Sequence, residues 1–163
     1  MRTDTAKAVH LKDYRPTDHL IDEARLDISL HRTETKVRAT LSIRPNPKGV
    51  AGAPLRLDGD GLTCMGVTLD GAPLDLAGDL LTPDQLVIAA PPQRPFTLVV
   101  DTVVNPSSNT QLMGLYRSGS AYCTQCEAEG FRRITYFLDR PDVLTVYTTR
   151  IEAERADAPV LLG

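Results

Sequence analysis

From Cys123 to Asp142 the chain reads C-T-Q-C-E-A-E-G-F-R-R-I-T-Y-F-L-D-R-P-D, its densest run of polar, chargeable and sulfur-bearing side chains. Gln125 and Glu127 stand two residues apart, so they share one face wherever this piece is extended. An amide that donates and accepts, beside a carboxylate that only accepts, suits an ammonium group. A well-placed charge-assisted hydrogen bond contributes about 1.5 to 3 kcal/mol, enough to tell a free amine from an amide. A plainer arrangement is also open. Glu127 and Glu129 can pair with Arg132 or Arg133 on a solvated helix start, where acids meet the positive end of the helix dipole. Spacing by itself favours this second arrangement, because charge runs are usually solvated faces.

Cys123-Thr124-Gln125-Cys126 is a CxxC, a spacing that lets two thiolates meet one zinc or form a redox disulfide. A structural zinc needs four protein ligands, and the remaining candidates, Cys64, His10, His19 and His31, form no second paired motif. A thioredoxin-like site would need the CxxC in a βαβ setting, which the pattern lacks. The cysteines therefore read as small, partly buried hydrophobes. The sequence has no HExxH, no G-x-S-x-G elbow and no glycine-rich phosphate loop, so no catalytic residue and no metal site is expected in it.

The surrounding elements read mainly as strands. Ala24, Leu26, Ile28 and Leu30 alternate with Arg25, Asp27, Ser29 and His31, and Val37, Ala39, Leu41 and Ile43 alternate with Lys36 to Arg44. Their closeness predicts a long antiparallel hairpin. Leu55 to Asp58 is a short strand. Leu62 and Cys64 share one phase while Met65, Val67 and Leu69 share the other, which predicts a bulge or a strongly twisted strand. Asp70-Gly71 is a two-residue hairpin signal. Leu86 to Ala89, Phe96 to Val104, Leu115 to Thr124 and Leu144 to Ile151 continue the series. Phe131, Ile134, Phe137 and Leu138 are spaced as two or three helical turns, which predicts one short helix near residues 128–138, stopped at Pro141. Met1 to Asp18 reads as an extended or loosely tethered arm. The fold class is all-β, mainly antiparallel, and residues 1–163 read as one domain.

Lys and Arg number 18 against 21 Asp and Glu, for a net charge of -3. So balanced a surface gains little from counterion release, and nucleic acid is not an expected partner. No apolar run approaches the roughly 20 residues of a membrane span, and Met1 to Tyr14 lacks the apolar core of an export signal. These features, with an odd number of cysteines, read as a cytoplasmic protein with reduced thiols. The apolar end Pro159-Val160-Leu161-Leu162-Gly163 reads as a cut through a larger protein.

The run G-L-Y-R-S-G from Gly114 to Gly119, with Cys123 to Asp142 after it, resembles the N-terminal domain of the bacterial aminopeptidase N family of zinc metallo-aminopeptidases, the gluzincins. D-Y-R-P around Tyr14 and A-P-L-R-L-D-G from Ala53 to Gly59 add to the likeness, which spans most of the chain. The resemblance implies a saddle-like β-sheet or sandwich domain packed on a separate catalytic domain. It implies that Gln125 and Glu127 help to bind the free α-amino group at the N-terminus of a peptide substrate. The family's HExxH with its downstream Glu, and its Gly-Ala-Met-Glu-Asn motif, have no counterpart in this sequence. The zinc and the catalytic groups are thus expected in a catalytic domain outside it, and the chain by itself is expected to be inactive. The resemblance also implies that the CxxC is no zinc site. Two other readings stand beside it: a β-sandwich docking module whose mixed-charge loop contacts a protein partner, and a redox or metal role for Cys123 and Cys126.

Overall fold

A computed structural model describes residues 10–77 and 80–158, so Met1 to Val9 and the apolar end from Pro159 lie outside the described residues. Among the described residues ten strands follow one another: β1 His19–Leu30, β2 Thr35–Pro45, β3 Leu55–Asp58, β4 Thr63–Leu69, β5 Ala72–Pro73, β6 Gln85–Ile88, β7 Phe96–Val104, β8 Gly114–Ser118, β9 Ala121–Gln125 and β10 Val146–Ala153. Six form one sheet in the order β10-β1-β2-β7-β4-β5, while β3 pairs with β6 and β8 with β9 in two smaller sheets.

Alternation sets the layers. In β2, Val37, Ala39, Leu41 and Ile43 are buried, and in β7 Phe96, Leu98, Val100, Thr102 and Val104 point the same way. Opposite them, Leu55 and Leu57 of β3 and Leu86 and Ile88 of β6 bring a second apolar face, and these residues fuse into one core with Tyr136, Phe137 and Leu138. Two inner faces of period two thus bury each other, leaving Lys36, Arg38 and Asp101 on the outer side. Thr102, buried among these residues, aims its hydroxyl at the carbonyls of Val37 and Ile134 at 3.4 and 3.3 Å.

The hairpin of β1 and β2 forms as its alternation predicts, with Leu26 opposite Ala39 and Ile28 opposite Val37. Where the apolar phase switches, of a bulge and a strongly twisted strand it is a register slip that is present, between Cys64 and Gly66 in the β4–β7 pairing. Asp70 and Gly71, at φ 49° and 82°, make the tight turn from β4 to β5, a pair of positive dihedrals whose twist matches that of the sheet.

Three features differ from expectation. The helix predicted near residues 128–138 is a single 3-10 turn, Phe131–Arg133. Beyond it Ile134, Thr135, Tyr136, Phe137 and Leu138 are all buried, so the apolar run is enclosed on every side rather than along one stripe. Its backbone is drawn into β3 instead: Asp58 N–H donates to the Phe137 carbonyl at 2.7 Å and Phe137 N–H to that of Asp58 at 3.0 Å. Second, β10 runs parallel to β1, with Leu26 opposite Thr149 and Ile28 opposite Ile151, in an otherwise antiparallel sheet. Third, the described part of the N-terminal arm is tied down, since Tyr14 Oη donates to Asp142 at 2.9 Å and Arg140 donates to the Arg15 carbonyl at 3.0 Å.

Candidate functional site

The residues of the candidate site sit where β9 runs out. Gln125 is its last residue, paired with Gly114 of β8, and Glu127 lies in the turn that follows. The stretch is therefore not extended, and the shared-face argument from spacing does not describe it. The two residues are neighbours by another route: Gln125 Nε2 is 3.5 Å from the Glu127 carbonyl oxygen, long for a hydrogen bond. Both side chains are exposed. The peptide bond between Glu127 and Ala128 is cis.

The turn is closed by the Gly130 N–H, which donates to the Cys126 carbonyl at 2.8 Å. Gly130 is buried, and a Cβ there would lie 2.7 Å from the Gln125 carbonyl oxygen and 2.8 Å from the Cys126 Cα. No side chain fits between these two stretches of main chain, so this position calls for glycine. Cys126 anchors the turn from inside. Its half-buried side chain packs on the second small core of Val37, Val104, Leu115 and Ile134.

The nearby arginines are engaged elsewhere. Arg132 Nε donates to Asp139 Oδ2 at 2.8 Å, its main-chain N–H donates to the same oxygen at 3.1 Å, and Nη2 donates to the Asp139 carbonyl at 2.9 Å. Nη2 also lies 3.3 Å from Glu129. Arg133 donates to Asp60 and, at 2.9 Å, to Gln111. The plainer arrangement thus holds for Glu129 and fails for Glu127, which forms no ion pair with either arginine among the described residues. An exposed carboxylate without an internal cation is free to take an external one.

Burial governs the other ionisable groups of this region. It pushes the Asp58 carboxyl up, against the opposing pull of the Arg132 charge, and it raises the Tyr147 hydroxyl. Burial also raises the Cys126 thiol, with a further contribution from the Asp139 charge, and raises Cys64. A raised thiol is the opposite of the lowered one that nucleophilic or metal-binding cysteines display. All three cysteines are free. His10, His19 and His31 are not gathered, and among the described residues no group of three or more His, Cys, Asp and Glu is placed to hold a metal ion. His31 Nδ1 instead accepts from the Thr33 and Glu34 N–H groups in the β1–β2 turn. These residues do not fit a zinc centre.

Asp139 and Gly130 are supporting residues without a signal in the sequence, and Arg132 stands out there only as a partner for Glu127 or Glu129. No local signal marks the pairing of Arg132 with Asp139, because it arises where the chain doubles back after the 3-10 turn.

A mixed six-stranded sheet backed by two small antiparallel pairs makes this an all-β domain. The chain belongs to the peptidase M1 N-terminal domain family, whose model matches residues 17–161. It is 49% identical to the aminopeptidase N of Caulobacter vibrioides over 154 residues, which are 94% of this chain and 18% of that protein. Among solved structures, the aminopeptidase A of Legionella pneumophila in complex with aspartic acid matches with a TM-score of 0.84 at 34% identity, over 93% of this chain and 18% of that one. An M1 zinc metallopeptidase from Deinococcus radiodurans shares the fold, with a TM-score of 0.66 at 16% identity, over 85% of this chain and 33% of that one. The chain thus spans less than a fifth of the length of the aminopeptidase N it matches.

Proposed function

We propose that this chain is the amine-recognising N-terminal domain of a longer, cytoplasmic, zinc-dependent aminopeptidase that releases N-terminal amino acids from peptides. Glu127 accepts hydrogen bonds from the substrate's α-ammonium, and the Gln125 side-chain oxygen accepts another. Zinc, held by a separate catalytic domain of the same protein, supplies the Lewis acid and the activated water. What this chain adds is selection: an ammonium facing Glu127 marks where the peptide begins, and a blocked or internal amide cannot replace it.

The observation that supports this reading is the state of Glu127, exposed beside Gln125 and unpaired with Arg132 and Arg133, which are committed to Asp139, Glu129 and Asp60. Family membership and likeness to an aminopeptidase N support the activity. The free cysteines suit a reducing compartment. For the partner domain, the support is β10, where Val146, Tyr147 and Ile151 leave apolar surface exposed, with Leu144 just before it at 89%.

The test is made in the full-length protein. Glu127→Gln keeps the shape and removes the charge, and is expected to raise KM for aminoacyl chromogenic substrates about 10- to 100-fold. Unchanged KM and kcat would remove Glu127 from the site.

A further inference from the structure

The turn that carries Glu127 has two feet, and both are fixed. One is Gln125, held in the β8–β9 pair. The other is the 3-10 turn at Phe131–Arg133, and its fixture is Asp139, which is only 7% exposed. One oxygen of Asp139 accepts from both the main-chain N–H and Nε of Arg132, while the Asp139 carbonyl accepts from Nη2. Asp139 N–H points at Asp58 Oδ2, 3.4 Å away, and Asp58 exchanges two main-chain hydrogen bonds with Phe137. The chain of contacts therefore ends in β3, in the core.

From Arg132 the contacts also run the other way. Gly130 precedes the 3-10 turn and lies against the Gln125 carbonyl and the Cys126 Cα, so a shift of this foot presses on the two residues that lead into Glu127. Charge follows the same path. Arg132 lies against Asp139 and Glu129, and although burial alone would lower its pKa, these acids and the nearby charge of Asp58 raise it. Two of the carboxylates near the turn, Asp139 and Glu129, thus have a cation in place, and Glu127 pairs with neither arginine among the described residues.

We infer that Arg132 and Asp139 are a positioning pair for the amine-binding carboxylate: without touching substrate, they fix the foot of the turn and so set where Glu127 stands relative to Gln125. The inference rests on the reading of Glu127 as the ammonium ligand. A carboxylate displaced by about 1 Å can lose as much as a hundredfold of its effect, so the pair should be visible in kinetics.

The experiment is a double-mutant cycle in the full-length protein: unaltered enzyme, Asp139→Asn, Glu127→Gln and both together, with KM and kcat measured on an aminoacyl chromogenic substrate. Asp139→Asn is expected to raise KM about tenfold while kcat changes far less, and to add almost nothing once Glu127→Gln is present. Arg132→Lys, which keeps the charge and loses the fork, should raise KM in the same direction and serves if Asp139→Asn fails to fold. An unchanged KM in both variants, with Glu127→Gln impaired, overturns the pair and leaves the reading of Glu127 standing. Equal effects with and without Glu127 also overturn it, because the pair then acts on something else. If Glu127→Gln itself has no effect, the reading beneath the inference fails.

Discussion

Gly130 stands so close to Gln125 that a Cβ on the glycine would fall 2.7 Å from the Gln125 carbonyl oxygen. Its φ of -109° is open to any residue, so glycine is required here by space rather than by backbone conformation. Gly130→Ala is expected to cost the chain about 1 to 3 kcal/mol through overpacking, read by urea denaturation. It should also raise KM in the full-length protein. A variant as stable as the original would mean that the turn yields freely.

Glu127 and Gln125 should differ in weight. The carboxylate gives a charge-assisted bond and the amide a neutral one, worth about 0.5 to 1.5 kcal/mol. Gln125→Ala should then raise KM by about 2- to 10-fold, less than Glu127→Gln does. Measuring both on one substrate checks the order, and a larger effect at Gln125 would reverse the roles.

Two arginine–aspartate pairs allow burial to be separated from geometry. Arg38 donates two parallel hydrogen bonds to Asp101, at 2.7 and 2.9 Å, but their side chains are 61% and 35% exposed. Arg132 and Asp139 are 22% and 9% exposed. Asp101→Ala is expected to cost at most about 1 kcal/mol, and less in high salt. Asp139→Ala strands a half-buried guanidinium and should cost about 3 kcal/mol or more. Equal losses on denaturation would show that burial is not what separates the pairs.

His19, only 4% exposed, should make stability depend on pH. Burial holds its pKa below the ordinary 6.5, against a smaller opposing effect of Asp18. The folded chain then binds fewer protons than the unfolded one, so stability is full above pH 6.5 and falls as the pH drops through the folded value. Asp58 acts with the opposite sign: its raised pKa contributes stability at acid pH that is lost as pH rises through its folded value. Denaturation midpoints from about pH 7.5 to 5 should decline, and His19→Gln should flatten the decline. An equal slope in the variant would assign the loss to other groups.

Much of the fold was legible because its signals are local. Alternation in β1, β2 and β7 needs only neighbouring residues to show which face is buried, and Asp70-Gly71 carries its turn in its own dihedral preferences. The phase switch between Cys64 and Met65 located the bulge for the same reason. The helix near residues 128–138 failed because apolar residues three and four apart mark a stripe only if the intervening ones are exposed, and Thr135 and Tyr136 are buried too.

The sequence by itself determined the all-β class, the hairpins and, through resemblance to a family, the choice of Gln125 and Glu127. Only the tertiary structure decided that β10 lies parallel to β1, that Arg132 takes Asp139 and Arg133 takes Asp60, and that Glu127 is left with neither arginine. Alternation and turn chemistry act between residues adjacent in the chain. Which of several acids an arginine reaches depends on where distant segments meet, and here that meeting point is set by the main-chain bridge between Asp58 and Phe137.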